Sequence, residues 1–305
     1  MGFRNFLWLL VLAALWGPSF LFIKVAVGDI PPLTLVTGRV GLAALLLYVI
    51  LRSQGGNLPK FGAVWKHFAV VGFFSNALPF VLFSWGEQYI DSALAAILNG
   101  TTPLFTIILA HFLISDDRMT PVKAMGTMLG FGGLVLLISP SLMGGIQLTT
   151  WGLLAATTAA FSYGIAIVYT RNHLRGLPRL VGPTAQLTMA TVYLLPLSLI
   201  IEQPFRLPLP SWPAMGSLIG LSVLGTALAF VIYYSLLERT SATYVSMVTY
   251  LAPMIGVALG VAVLGEQLGW TTYAGCGFIL AGVMVVNGVF KNITFRRTGD
   301  AAVRP

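Results

Sequence analysis

Ser75-Asn-Ala-Leu-Pro-Phe-Val-Leu-Phe83 and Gly225-Thr-Ala-Leu-Ala-Phe-Val-Ile-Tyr233 are one apolar pattern written twice, 150 positions apart. The register continues without a gap. Pro103-Leu-Phe105 falls on Pro253-Met-Ile255, and Ser115-Asp116-Asp117 falls on Gly265-Glu266-Gln267. One residue out of step, Gly126 to Leu137 resembles Gly275 to Val286. Identities are few, but the ungapped run and the paired prolines point to an internal duplication. A unit that recurs at half the chain length sets the fold: two copies of one helical module.

The medium of that module follows from composition. The chain is 57% hydrophobic and 9% charged, with mean hydropathy +0.89. Soluble domains carry roughly 25% charged residues, so this chain is expected to lie in a membrane. There, backbone polar groups must bond internally, which leaves helices or a closed barrel. A barrel alternates polar and apolar residues; Val40 to Leu51 and Phe278 to Val286 do not. Ten stretches of spanning length are predicted, at about 6–27, 33–51, 67–86, 92–113, 120–138, 150–171, 181–201, 212–237, 241–264 and 271–290. The first follows Arg4 but is too long for a signal-peptide core and reads as an uncleaved span.

Charge sets the orientation. Of 17 Lys and Arg, 14 fall in alternate gaps, from Arg4 and Arg52 through Arg118, Arg171 and Arg239 to Lys291 and Arg304. The opposite gaps hold Arg206, while Lys24 and Arg39 lie inside apolar stretches. Basic loops stay cytoplasmic, so both termini are expected in the cytoplasm. The formal charge of +8 is then loop charge facing lipid headgroups and cytosol, not a nucleic-acid surface. Five spans per copy is odd, so the second copy is expected to be inverted. The predicted units are 1–145 and 146–292, followed by a disordered tail, 293–305. An inverted repeat is a signature of secondary transporters, whose substrate site lies between the copies at mid-depth.

Other classes lack their machinery. Cys276 is the single cysteine, so no intrachain disulfide or cysteine cluster forms. His67, His111 and His173 fall on separate segments without ligand spacing, and no metal or other cofactor is expected. No zinc motif, aspartyl pair or Ser–His pair lies within the spans, so an enzyme is not expected. A channel or a non-transporting receptor stays open as an alternative.

At particular residues the chain resembles the drug/metabolite transporter superfamily, in its ten-helix EamA-type members. Ala13-Ala-Leu-Trp-Gly-Pro-Ser-Phe-Leu-Phe-Ile-Lys24 is similar to the family's first helix, and Arg39-Val-Gly-Leu-Ala-Ala to its second. Thr240-Ser-Ala-Thr, Ala252-Pro253 and Leu264-Gly-Glu266 resemble its ninth-helix signature. The first copy departs from that ending, with Ile114-Ser-Asp-Asp117. The resemblance implies export of amino acids, aromatic ones included, or of related metabolites, across a bacterial inner membrane. Sugar-phosphate or nucleotide-sugar carriage is the rival within the superfamily. It would want several cations converging on phosphate, and only Lys24 and Arg39 are at hand. Each copy supplies the other's inverted partner, so a monomer is complete.

A central site needs polar groups facing the bundle interior between apolar walls. Asn99, Thr102 and Thr106 share one helical face, and Pro103 in the same turn frees a carbonyl. The second copy offers Ser246, Thr249 and Pro253, with Tyr250 adjacent. Asn76 pairs with Thr226, and Pro79 follows Asn76. Trp16 and Ser19 share a face of the first span, matched by Phe161, Ser162 and Tyr163 in the sixth. This lining suits a small zwitterion with an apolar or aromatic side chain. Hydroxyls and amides in membrane helices also serve packing, at about 0.6 kcal/mol each. Gly126-x-x-x-Gly130 and Gly256-x-x-x-Gly260 read as packing or dimer faces. Lys24 and Arg39 would cost about 2.5–3.5 kcal/mol at a span centre. They are expected to snorkel outward, toward Asp29 or headgroups, or to pair structurally, or else to meet a substrate carboxylate on the exit path. No Asp or Glu falls mid-span; Glu87, Asp91, Glu202 and Glu266 fall at outer ends or loops. That absence predicts gradient-driven efflux without a titrating carboxylate in the membrane.

Overall fold

The computed structural model describes residues 3–114, 118–143, 147–240 and 242–288. Ser115, Asp116, Asp117, the boundary at 145/146, Ser241, and the tail 293–305 lie outside the described residues, as do Lys291, Arg296, Arg297 and Arg304. The described residues contain no strand. Among the described residues eight helices have spanning length: helix 1 (Phe3–Ala26), helix 2 (Pro32–Ser53), helix 3 (Val64–Gly86), helix 4 (Ser92–Leu113), helix 5 (Pro121–Met143), helix 6 (Leu148–His173), helix 7 (Val181–Glu202) and helix 8 (Trp212–Arg239). Two shorter ones follow, helix 9 (Val248–Leu264), preceded by the turn Ala242–Val245, and helix 10 (Trp270–Val286). At about 1.5 Å per residue, each of these crosses most of an apolar layer.

The helices are interrupted where the sequence weakens them. Helix 1 breaks at Gly17-Pro18. A Cβ at Gly17 would lie 2.5 Å from Ile255 Cγ2, so the missing side chain lets helix 9 approach. Helix 3 widens into a π turn at Phe73–Ala77, just before Pro79, and helix 8 does so at Val223–Leu228. These turns occupy matching places in the 150-residue register. Helix 4 opens at Gly100–Thr101, where Pro103 lacks the N–H that Asn99 would have met. Thr102 Oγ1 donates to that Asn99 carbonyl instead, at 2.8 Å.

Packing joins the halves. Helix 2 lies on helix 7, helix 1 on helices 8 and 9, helix 4 on helix 9, and helix 5 on helix 10. The last seam is glycine against glycine. A Cβ at Gly133 would fall 2.6 Å from the Gly275 carbonyl, and one at Gly282 would fall 2.5 Å from the Gly126 carbonyl. Gly126 therefore serves packing within the chain. So does Gly256, where a Cβ would meet Ala96 at 2.7 Å.

Loop contacts sort the helix ends into two groups. At one end, which we call the acidic end, Glu202 closes helix 7 and accepts the Leu33 and Thr34 N–H groups of helix 2 at 2.9 and 2.6 Å. Asp29 accepts the Ser211 N–H at 3.1 Å. Hydrogen bonding from Ser211, side chain first and main chain second, holds the Asp29 carboxyl below its usual range. At the opposite, basic end, Arg179 meets Glu238 at 3.4 Å, and Asn172 donates to the Leu113 carbonyl.

Candidate functional site

Of the alternatives open to the two basic residues inside apolar stretches, the structure shows pairing within the protein, not snorkelling. Arg39 is 6% exposed. Its Nε donates to Thr226 Oγ1 at 3.0 Å, and its guanidinium carbon lies 3.7 Å from the centre of the Phe80 ring. Burial of the cation is thus offset by a hydrogen bond and a ring face. No carboxylate lies within ion-pair distance of Arg39 among the described residues. Lys24 is held by main-chain carbonyls rather than by Asp29. Its Nζ donates to the carbonyls of Glu87 and Ile90, both at 2.7 Å, beyond the C-terminus of helix 3. A helix C-terminus presents unpaired carbonyls and partial negative charge, so a lysine fits there.

Around Arg39 the structure gathers part of the predicted set. Asn76 is fully buried in the first π turn, and neither its Oδ1 nor its Nδ2 has a partner. Thr226, its counterpart, is equally buried but satisfied. Its hydroxyl donates to the Leu221 carbonyl at 2.8 Å while accepting from Arg39. Ser162 Oγ donates to the Phe74 carbonyl within the first π turn, at 2.7 Å. π turns recur at functional sites because they re-aim side chains and free carbonyls. Pro79 is buried at the start of the regular helix that follows. Tyr163 stacks on Phe83 at 6.3 Å and stands edge-on to Phe80 at 6.5 Å. Ser19 is 7% exposed with its hydroxyl unpartnered, facing Gly225 in the second π turn. Trp16 is half-buried against Tyr233, with ring centres 5.5 Å apart.

The remaining predicted residues lie elsewhere. Phe161 is 39% exposed and meets Phe105. In the aligned register Phe83 matches Tyr233, so Tyr163, not Phe161, makes the contact equivalent to that of Trp16. Asn99 and Thr102 are half-buried at the helix 4 break, with the Thr102 and Thr106 hydroxyls bonded within their own helix. Thr249 does the same toward the Ser246 carbonyl. Tyr250 is a strut: its hydroxyl donates to the Val283 carbonyl and accepts from Asn287 Nδ2 at 2.6 Å.

Sequence reasoning leaves one residue of consequence outside the predicted site, as no more than a fallback for proton coupling. Glu87, read as an outer-end residue, is 0% exposed, and neither carboxyl oxygen has a hydrogen-bond partner. The signal was present: Asn76, Phe80, Ser84 and Glu87 follow at spacings of 4, 4 and 3, one face of helix 3. Ser84 on that face is buried and unpartnered too. Glu266 contrasts with Glu87. Gly265, in the left-handed region at φ 68°, ends helix 9 and aims Glu266 at the start of helix 4. There its carboxylate accepts from the Ser92 N–H and hydroxyl, both at 2.7 Å, and from the Ala93 N–H at 3.0 Å. Gly260 makes room, since a Cβ there would run into Glu266 Oε2. The predicted scatter of histidines is also revised. His67 and His173 stack at 4.9 Å, with His67 Nδ1 2.9 Å from the Tyr169 hydroxyl. Among the described residues no group of three or more His, Cys, Asp or Glu could hold a metal.

Among the described residues, eight apolar helices of spanning length and two shorter ones, with helices 3 and 8 widened at matching depths beside buried polar groups, define a multi-pass membrane protein. The chain belongs to the EamA-like transporter family, whose model matches residues 4–139 and 150–288. It is 27% identical over 286 residues to the "Uncharacterized transporter YoaV" of Bacillus subtilis, covering 93% of this chain and 94% of that one. It is 25% identical over 280 residues to the "Uncharacterized inner membrane transporter YedA" of Escherichia coli K12, covering 91% and 89%. Protein PecM of Dickeya dadantii is 27% identical over 256 residues, covering 81% and 83%. A crystal structure with 21% identity superposes with a TM-score of 0.66, covering 94% of this chain and 99% of that one. That likeness shows a shared fold.

Proposed function

We propose that this protein exports small carboxylate-bearing metabolites with an apolar or aromatic portion, amino acids foremost, by alternating access between two inverted repeats. The acidic end is the outer one in this reading, because the basic gaps belong in the cytoplasm. The membrane is the bacterial inner membrane, as the name of the Escherichia coli relative suggests. The observation that carries the substrate class is Arg39. It is a buried cation without a carboxylate partner among the described residues, fixed by Thr226 and Phe80 where helices of both halves meet. A guanidinium so held recognises a planar carboxylate. Phe80, Phe83, Tyr163 and Trp16 offer apolar contact, Asn76 lies in the first π turn, and Ser19 and Pro79 adjoin the π turns. Asn99, Thr102, Phe161, Thr226, Thr249 and Tyr250 then line or brace the path.

Saturable counterflow of a labelled amino-acid panel in proteoliposomes tests this reading. Arg39→Met should lower uptake of the preferred amino acid at least about tenfold, the loss of one charged hydrogen bond. Its melting temperature should stay within a few degrees. A variant that folds and still prefers the acid over its decarboxylated amine would remove Arg39 from the site. The absence of counterflow with any amino acid in the wild type would overturn the substrate class.

A further inference from the structure

Three carboxylates of the acidic end are held in different ways. Glu202 and Glu266 each accept main-chain N–H groups at the start of a helix in the other half. Such bonds favour the ionised form. Glu87, one residue past helix 3, has no donor on either oxygen and no exposure. Its surroundings explain why. Helix 6 packs on it with Gly152 and Ala155 near Gly86, and brings no titratable group before Tyr163. Helix 1 brings Lys24, but that ammonium bonds to the main-chain carbonyls of Glu87 and Ile90, not to the carboxyl group. Helix 2 brings Arg39, which is bonded to Thr226. Glu266 adds negative charge from the adjoining loop, while Asp91, at the start of helix 4, is not among the groups acting on Glu87. A buried carboxyl without a donor is stable only when neutral.

We propose that Glu87 is a proton-binding site that is protonated while the acidic end is closed and ionises when that end opens. The inference rests on the alternating-access reading above. The geometry makes closing and proton uptake one event. The contacts of Glu202 and Glu266 draw the helix ends together, and the same closure removes water from Glu87. Burial pushes the Glu87 carboxyl well above its usual range, against Lys24 and Arg39, which pull it down; Glu266 pushes it further up. The sign follows. A group whose affinity for protons is higher in the closed state stabilises that state at low pH. The stabilisation is lost as pH rises from the ordinary carboxylate range toward the raised value. Acid therefore holds this end shut, and alkali lets it open.

Two measurements test this, one without substrate. Hydrogen exchange of peptides covering residues 83–98, in detergent-solubilised full-length protein and corrected for intrinsic rates, is followed from pH 6 to pH 8. The wild type should exchange faster at the higher pH, by up to about tenfold per unit. Glu87→Gln, which mimics the neutral acid, should stay protected throughout. Unchanged pH dependence in Glu87→Gln overturns the proposal. Should that variant misfold, Glu87→Asp serves: a displaced pH midpoint supports the proposal and an identical one sinks it. The second measurement is efflux from proteoliposomes with internal pH fixed and external pH varied. Efflux should slow on external acidification in the wild type and be pH-independent in Glu87→Gln. A pH response in exchange without amino-acid transport would sink the substrate reading alone. Transport with flat exchange would sink the Glu87 proposal alone.

Discussion

The two halves share a register but not a chemistry. Both carry a π turn at the same aligned depth, and both open a helix near the paired prolines Pro103 and Pro253. Yet the buried charges among the described residues, Arg39 and Glu87, belong to the first half. So do most of the unpartnered buried side-chain atoms among the described residues, those of Ser19, Asn76, Ser84, Glu87 and Thr127, with Arg179 Nε the exception in the second half. The second half buries polar groups as well, but closes them on its own carbonyls: Thr184 on Leu180, Ser222 on Leu218 and Thr226 on Leu221. Four residues past Phe83 stands Glu87; four past its counterpart Tyr233 stands Leu237. A buried polar group without a partner costs roughly 1–3 kcal/mol, which selection tolerates where the group has work to do. The duplicated fold therefore supplies geometry twice and chemistry mainly once.

The seam between helices 5 and 10 is where this asymmetry should vanish, and it carries the largest expected effect. Gly133 and Gly282 are packed equally tightly, each against main-chain atoms of the other half, which cannot rotate away. Gly133→Val and Gly282→Val should both cost about 3 kcal/mol or more through overpacking. Each should sharply lower the yield of monodisperse protein in size-exclusion chromatography. If one is tolerated and the other is not, the seam is as asymmetric as the charges, and the contrast drawn above loses its control.

The middle-sized effect opposes the aligned pair Asn76 and Thr226 in sign. Asn76 has no internal partner to lose, so Asn76→Leu should raise the melting temperature, removing a desolvation cost of about 1–3 kcal/mol. Transport should fall. Thr226→Val instead strips Arg39 of its acceptor and should destabilise by a similar amount. Thermal shift measured beside counterflow checks both. Destabilisation by Asn76→Leu would show that the amide is structural, and the first half would lose part of its claim to the chemistry.

Much of this architecture is legible in the sequence because its causes are local. Apolar runs, prolines and the repeat register act over a few residues or along the whole chain, so the helix count follows from them, while the π turns and the interruption that starts helix 9 at Val248 rather than 241 do not. The directions of Lys24 and Arg39 do not, because they depend on what a distant helix presents. The carbonyls of Glu87 and Ile90 become available to Lys24 only once helix 3 ends beside helix 1. Arg39 turns inward because Thr226, 187 positions away, sits in a π turn. Glu87 failed for a related reason. Position at a helix end suggests water, but the closing contacts from Glu266 bury that end. The face 76–80–84–87 could have marked it, had buried polar periodicity been given the weight of hydrophobic periodicity.

The smallest effect separates the two closing carboxylates, and with them the two halves of the acidic end. Glu202 and Glu266 perform the same structural task, so Glu202→Gln and Glu266→Gln should each weaken closure by about 1 kcal/mol, through loss of charge at a helix N-terminus. Hydrogen exchange of residues 33–37 and 92–96 respectively should rise several-fold. They differ in what lies beside them. Glu266 repels the charge of an ionised Glu87, whereas Glu202 is not among the groups acting on it. Neutralising Glu266 therefore makes Glu87 easier to ionise, and the pH midpoint of opening should move to lower pH. Glu202→Gln should raise the exchange rate without moving that midpoint. Equal midpoints in both variants would mean that Glu87 does not sense the latch beside it. The acidic end would then be two independent clasps, not one clasp and one proton-sensitive clasp.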